Sequence, residues 1–149
     1  MSDFVLRLIP EQPEFVPSAG IIEKLKQTVA ALNLDEDKVV TKLENSVVFV
    51  DAGKNWGKVI CPACKEQLTD DWWSQAMGAA WETKFSNFLT QTVCCNSTVS
   101  LNELEYEWQV GFARFIFEVQ NPKKALTATD KSVLEEIIGC KLKRIDAYI

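Results

Sequence analysis

The sequence contains no histidine, and this absence removes several kinds of chemistry at once. Without an imidazole, the chain cannot build a Ser-His-Asp or a Cys-His catalytic arrangement. Zinc sites that use histidine ligands are excluded for the same reason. Any metal that this chain binds must therefore be held by thiolates and carboxylates.

Long apolar runs are also missing. No stretch approaches the roughly 20 apolar residues that a membrane-spanning helix needs. The N-terminal segment MSDFVLRLIPEQPEF has neither the basic start nor the apolar stretch of a signal peptide. We therefore expect a cytoplasmic protein with no membrane partner. The five cysteines are an odd number, which fits a disulfide framework poorly.

Basic residues are outnumbered by acidic ones, 16 against 21, which gives a net charge of −5. Nucleic-acid binding depends on clustered Lys and Arg, so this balance argues against a nucleic-acid partner. The one basic cluster, KLKRI, alternates charged with apolar residues, which is typical of a strand with one solvent-exposed face. We expect the main partner to be another protein.

What the sequence does contain is typical of a well-packed globular domain. Hydrophobic residues make up 47% of the 149, including five Trp and eight Phe. A chain of this length can bury a sizeable core without stabilising disulfides or metals. We predict a single domain over residues 1–149.

The two ends of the chain share one order of elements: strand, proline, helix, strand. FVLRLIP precedes the helical pattern IIEKLKQTVAAL and the strand VVTKLE, while ARFIFEVQNP precedes SVLEEIIG and LKRIDAYI. Two such units in one sheet predict an α+β fold with a mixed or antiparallel sheet, helices on one face and two split-βαβ-like halves. Residues 59–98 would then form a cysteine-bearing insert with a Trp-rich helix.

Two local predictions concern the region between these halves. A turn at Glu44-Asn45 would separate the strand KVVTKLE from a second strand, SVVFVDAG. The stretch 69–89 predicts one long helix with a single apolar stripe that faces the core. On that basis Trp81→Ala would cost about 3–5 kcal/mol. The stripe consists of Trp73, Met77, Ala80, Trp81, Phe85 and Phe88.

Four of the five cysteines come in two pairs. Cys61 and Cys64 stand in VICPACKEQL, and Cys94 and Cys95 stand in QTVCCNST. A Cys-x-x-Cys turn lets both sulfurs reach one ion, and zinc prefers four ligands in a tetrahedron. Thiolate-only sites favour zinc in the cytoplasm. The pattern therefore predicts a structural zinc held by all four sulfurs.

The adjacent pair sets a condition on this prediction. Neighbouring residues on a strand point to opposite faces, so Cys94 and Cys95 can both ligate only if the strand ends between them. The NST that follows is turn chemistry, which permits this. If only one of the two ligates, a carboxylate or a water must complete the shell.

Two other readings of the cysteines stay open. Cys61 and Cys64 could form a redox dithiol, although a catalytic dithiol usually starts at a helix N-terminus, and the acidic residues Asp70 and Asp71 stand here between the pair and the body of the helix. The thiols could also be buried and inert. Cys140, which has no neighbouring cysteine, is best explained as a small core residue.

A run of carboxylates, Glu103, Glu105 and Glu107, could in principle support acid/base chemistry. Each of them is separated from the next by an apolar residue, so the pattern favours a solvated face. We assign no catalytic residue.

The order of CPACKEQLTDDWW, CC, SLNELEYEW, GFARFIFEVQNP and IIGCKLKRIDAYI resembles a group of small uncharacterised bacterial proteins with a zinc-ribbon-like CPxC…CC pair. The resemblance covers roughly the last two thirds of the chain and implies no activity. In that group a glycine tends to follow each cysteine pair, whereas Lys65 and Asn96 stand at those positions in this chain.

These patterns predict a non-catalytic, zinc-stabilised binding protein of bacterial type. Its acidic surface suits a basic protein partner, as in an immunity protein that neutralises a toxin. The alternative is a thiol-disulfide oxidoreductase that uses Cys61 and Cys64. The two hypotheses differ in metal content and in the reactivity of Cys61.

Overall fold

The computed structural model describes residues 3–149, so Met1 and Ser2 of the predicted domain lie outside the described part. In chain order its elements are β1 (Phe4–Pro10), α1 (Ala19–Ala31), β2 (Lys38–Val50), β3 (Val59–Ile60), β4 (Gln67–Leu68), α2 (Asp70–Glu82), β5 (Leu89–Gln91), β6 (Thr98–Ser100), a 3₁₀ helix (Leu101–Glu103), β7 (Glu105–Tyr106), β8 (Gly111–Gln120), α3 (Ala128–Ile138) and β9 (Leu142–Tyr148).

Four strands from the two ends of the chain form the main sheet, in the order β2-β8-β1-β9. Every neighbouring pair in it is antiparallel. Helix α1 connects β1 to β2, and α3 connects β8 to β9. This is the arrangement of two split βαβ units that share a sheet, and it confirms the predicted α+β fold class.

Helices α1 and α3 pack on one face of this sheet. Leu25 and Val29 of α1 and Leu134 of α3 join the same buried cluster as Phe115 and Phe117 of β8. Each buried apolar side chain of this size stabilises the fold by about 1.5–3 kcal/mol. Because side chains alternate along a strand, the residues between them in sequence point to the opposite face of the sheet.

The helix ends follow from local chemistry. The Ser18 hydroxyl accepts a hydrogen bond from the Ile21 amide at 3.3 Å and begins α1. Thr127 and Asp130 form a reciprocal capping box at the start of α3. Gly139 ends α3 at φ 85°, a left-handed conformation that glycine adopts without a steric penalty. Within residues 3–149, no helix has both the length and the apolar character required to cross a membrane.

The cysteine-bearing region lies between β2 and β8 and has a core of its own. Strands β4, β3 and β7 form a three-stranded sheet, and β5 and β6 form a separate hairpin. Their buried side chains pack with those of α2 around Phe112 of the main sheet, with Phe49 at the edge. The buried cluster under α1 and α3 includes no residue from 51–110. The cluster under α1 and α3 is therefore distinct from the cluster around Phe112. On the opposite face of the main sheet, a third cluster joins Ile9 and Ile116 to Val110 of the cysteine-bearing region.

The predicted turn at Glu44-Asn45 is wrong, because β2 runs unbroken from Lys38 to Val50. The register against β8 shifts between Leu43 and Val48, so a bulge absorbs the extra residues. The Arg114 side chain donates from Nε to the Glu44 carbonyl at 3.1 Å. This bond gives a bulged carbonyl a partner that the ladder would otherwise supply.

The predicted helix over 69–89 is too long, and its apolar stripe is partly wrong. Helix α2 ends at Glu82, after which Lys84 and Phe85 take positive φ angles of 55° and 54°. The chain therefore turns back, and the Phe85 ring packs 5.2 Å from that of Phe112. Trp81 remains on the helix but is 64% exposed, so it does not belong to the core.

Candidate metal centre

Two turns of the same design carry the cysteine pairs. The first follows β3, where the Cys61 amide donates to the Glu66 carbonyl at 2.9 Å. The second follows β5, where the Thr92 amide donates to the Ser97 carbonyl at 3.0 Å. The strand pairing matches as well, since Ile60 pairs with Gln67 and Gln91 pairs with Thr98. The second turn thus repeats the first with a constant shift along the chain.

The residue after each cysteine pair adopts a left-handed conformation. Lys65 has φ 66° and Asn96 has φ 58°. Glycine favours this region because it lacks a Cβ, and Asn tolerates it better than most residues. Both turns therefore form here with a side chain at a position that favours glycine.

The structure brings the four paired cysteines together. The Sγ atoms of Cys61, Cys64, Cys94 and Cys95 all lie within 4.8 Å of one another, so this group could hold a metal ion. Cys64 and Cys94 are 3.3 Å apart, Cys61 and Cys95 are 3.8 Å apart, and Cys94 and Cys95 are 3.9 Å apart. Strand β5 ends at Gln91, before either of the adjacent cysteines, so both side chains are free to turn toward one point.

The four sulfurs differ in their exposure to solvent. Cys61 is completely buried in the core of the cysteine-bearing region. Cys64 is partly exposed, and Cys94 and Cys95 are exposed. One side of the cluster is therefore anchored in the core and the other is open.

Hydrogen bonds favour the thiolate form at two of the cysteines. The Ser97 hydroxyl, with Oγ 3.1 Å from Cys95 Sγ, and then the Thr92 hydroxyl lower the pKa of Cys95 to about 6. The Cys64 backbone amide lowers the pKa of Cys61. Donors aimed at a sulfur stabilise its charged form, which is the form that binds a metal.

The pKa of Cys64 shifts in the opposite direction because of the groups around it. The Glu66 backbone amide pulls its pKa down, but the Cys94 thiol and burial outweigh that effect and raise the pKa of Cys64 to about 12. Thiolates this close together repel one another, so they cannot all ionise without a counter-charge. A divalent cation at the centre of the cluster would relieve that repulsion.

The remaining candidates lie outside the sulfur cluster. Cys140 is partly buried and packs against the core under α1 and α3. The Glu105 carboxylate pairs with the Lys65 ammonium, and Glu107 accepts a hydrogen bond from the Lys58 amide at 2.8 Å. These carboxylates hold loops together around the cluster.

Sequence reasoning missed the two hydroxyl residues, Thr92 and Ser97. Thr92 is 1% exposed and lies within hydrogen-bonding distance of Cys95, with Oγ1 3.5 Å from Sγ. The signal is present in the sequence: TVCCNSTV, starting at Thr92, aligns with CPACKEQL, starting at Cys61. In that alignment Cys95 matches Cys64, and Thr92 matches Cys61.

Comparisons with family models, with curated proteins and with solved structures found no match to this chain.

Proposed function

We propose that this chain is a non-catalytic, zinc-stabilised binding protein of bacterial type whose partner is a basic protein. The observation that carries the zinc assignment is the spacing of the four sulfurs. A zinc–sulfur bond of about 2.3 Å in a tetrahedron corresponds to sulfurs about 3.8 Å apart. Three of the six sulfur–sulfur separations, at 3.3, 3.8 and 3.9 Å, lie on either side of that value, and all six are within 4.8 Å.

The chemistry of the donor set supports zinc as the metal. Four thiolates without imidazole form a soft site, and tetrahedral sulfur sites select zinc or iron–sulfur chemistry. Closed four-ligand zinc sites are structural and leave no open position for a substrate. Such a site contributes directly to folding, which suits a region held together by strands of two or three residues.

The alternative, a thiol-disulfide oxidoreductase that uses Cys61 and Cys64, has less support. An attacking thiol must be accessible to its disulfide substrate, and Cys61 is fully buried. Helix α2 begins at Asp70, six residues after Cys64, and the Thr69 hydroxyl accepts the bond from the Trp72 amide. The helix that follows the pair therefore does not begin at either cysteine, unlike the helix that activates a typical catalytic dithiol.

A groove on the open face of the main sheet supports a basic partner. Glu118 and Arg7 point away from α1 and α3 and lie between two adjoining hollows of about 230 and 250 Å³. Arg7 Nε donates to Glu118 Oε1 at 3.2 Å, and Lys42 Nζ lies 3.2 Å from the same oxygen. Four acidic side chains line the two hollows against these two cations, namely Asp3, Glu44, Asp51 and Glu118. The excess of carboxylates complements Arg or Lys side chains of a partner.

The zinc assignment is tested by native mass spectrometry of the purified full chain, with Cys95→Ser and Cys140→Ser as matched variants. We expect one zinc per chain in the wild type and in Cys140→Ser, because Cys140 lies outside the cluster. Cys95→Ser should retain much less zinc. A folded wild-type chain that carries no metal and four free thiols would contradict the assignment.

The partner class is tested with short peptides of defined charge. We expect an alternating Arg-Ala peptide to bind, with an affinity that falls as the salt concentration rises. An alternating Glu-Ala peptide should not bind. Glu44→Lys in the groove should weaken binding more than Glu23→Lys, which makes the same charge change on α1. Equal effects of the two variants would show that net charge, and not the groove, attracts the peptide.

A further inference from the structure

We propose that Cys94 is a substitute ligand, which stands in for a cysteine missing at position 92, and that it is the ligand a small thiol can replace at the metal. This inference rests on the proposed zinc site and describes how that site exchanges ligands. It follows from comparing the two turns position by position.

In the first turn the ligands occupy the first and fourth positions, Cys61 and Cys64. The equivalent positions of the second turn are Thr92 and Cys95, since the turns share their closing hydrogen bond and strand register. A regular pair of turns would therefore supply its fourth ligand from position 92. That position holds a threonine, which is 1% exposed and whose Oγ1 accepts from the Ser97 amide at 3.2 Å.

Cys94 occupies the position that Ala63 holds in the first turn. Both residues are exposed, so this position points outward from the hairpin. The Cys94 sulfur nevertheless lies 3.3 Å from that of Cys64 and 3.9 Å from that of Cys95. It therefore completes the set of four from the solvent side.

The consequence is an asymmetric site. Cys61 cannot leave the metal without opening the core around it, since it packs with Val59 and Leu68. Cys94 has no place in that core and can swing into solvent. An incoming thiolate donates a lone pair to the metal, while the Cys94 sulfur leaves with its own pair and takes up the proton released by the incoming thiol. No electron is gained or lost in this exchange.

Cobalt(II) is the probe that counts the thiolates, because the intensity of its sulfur charge-transfer absorption rises with the number of thiolate ligands. We expect Cys94→Ala to bind one cobalt with about three quarters of the wild-type charge-transfer intensity, as three thiolates remain of four. Added 2-mercaptoethanol should restore the full intensity. Cys61→Ala should lose the site, and thiol should not rescue it.

The position argument has its own variant, Thr92→Cys combined with Cys94→Ala. This double variant should recover the four-thiolate spectrum without added thiol and should no longer respond to thiol. Failure to recover would contradict the equivalence of positions 92 and 61. Equal loss of cobalt in Cys94→Ala and Cys61→Ala, or an unchanged spectrum in Cys94→Ala, would overturn the role given to Cys94.

The outcomes also separate this inference from the zinc assignment. If the wild-type chain binds no cobalt or zinc, the proposed function fails and the inference fails with it. If the wild type binds cobalt through four thiolates but Cys94 behaves like Cys61, only the inference is wrong.

Discussion

At the scale of single residues, Trp81 and Phe85 show how a left-handed turn decides which aromatic ring is buried. Both fall on the apolar stripe that the sequence predicts, yet Trp81 is 64% exposed and Phe85 is 5% exposed. Phe85 lies beyond the end of α2, in the turn that folds back onto Phe112. The stripe was right to place Phe85 in the core and wrong to place Trp81 there, because it continued a helix that the structure ends at Glu82.

Alanine substitutions should separate these two rings. Phe85→Ala should lower the free energy of unfolding by about 3–5 kcal/mol, because it leaves a cavity next to Phe112. Trp81→Ala should cost less than about 1 kcal/mol, because solvent already covers most of its ring. Urea unfolding of the two variants measures the difference. A loss of about 3–5 kcal/mol for Trp81→Ala as well would mean that the sequence-based stripe was right.

At the scale of elements, Glu135 connects the last turn of α3 to the first residue of β9. Its carboxylate accepts a hydrogen bond from the Leu142 amide at 2.7 Å and pairs with Lys131 on the same helix. The Leu142 amide is the main cause that lowers the pKa of Glu135 below its ordinary value of 4.5, although burial acts in the opposite direction. The contact fixes how the helix returns into the sheet.

Stability should therefore depend on pH through Glu135. Because its folded pKa is lowered, the carboxylate stabilises the fold fully above about pH 4.5, and this contribution is lost as the pH falls through the folded value. Glu135→Gln should cost about 1 kcal/mol at pH 7, and the difference from wild type should shrink in acid. Glu136→Gln, on the exposed neighbour, is the control and should change little. A cost that stays constant down to pH 3 would contradict this role.

The elements also show what sequence could predict. Helix starts at Ser18 and Thr127 are local, since each cap bonds to an amide three residues on. The two strand-helix-strand units are likewise visible in periodicity alone. The bulge in β2 and the end of α2 were not predictable, because each depends on a residue distant in sequence, Arg114 or Phe112. Thr92 was missed for a different reason, since its contacts with Cys95 and Ser97 are local and the alignment of TVCCNSTV with CPACKEQL is visible in the sequence.

At the scale of the whole molecule, different spectroscopic signals report on the cysteine-bearing region and on the core under α1 and α3. All five tryptophans lie between β2 and β8, at positions 56, 72, 73, 81 and 108. The cluster under α1 and α3 contains none of them. Tryptophan fluorescence therefore follows the cysteine-bearing region, while backbone amides of β1 and β8 follow the main sheet.

Removing the metal should unfold one region before the other. We expect a chelator to shift tryptophan emission to longer wavelength, because the short strands around Cys61 lose the ion that joins their turns. Amide hydrogen exchange in β1 and in β8 from Phe115 to Val119 should stay slow, since the side chains of these segments under α1 and α3 belong to a separate cluster. Cys95→Ser should resemble the chelated protein, and Cys140→Ser should resemble wild type. Loss of protection in β8 together with the emission shift would show a single cooperative unit.

The most direct test of the central claim is X-ray absorption at the zinc edge of the purified, zinc-loaded chain, which counts the atoms bound to the metal. A site formed by Cys61, Cys64, Cys94 and Cys95 predicts four sulfurs at about 2.3 Å and no nitrogen or oxygen ligand. A shell with two or fewer sulfurs, filled by oxygen, would contradict the account, because the two turns would then not meet at one ion.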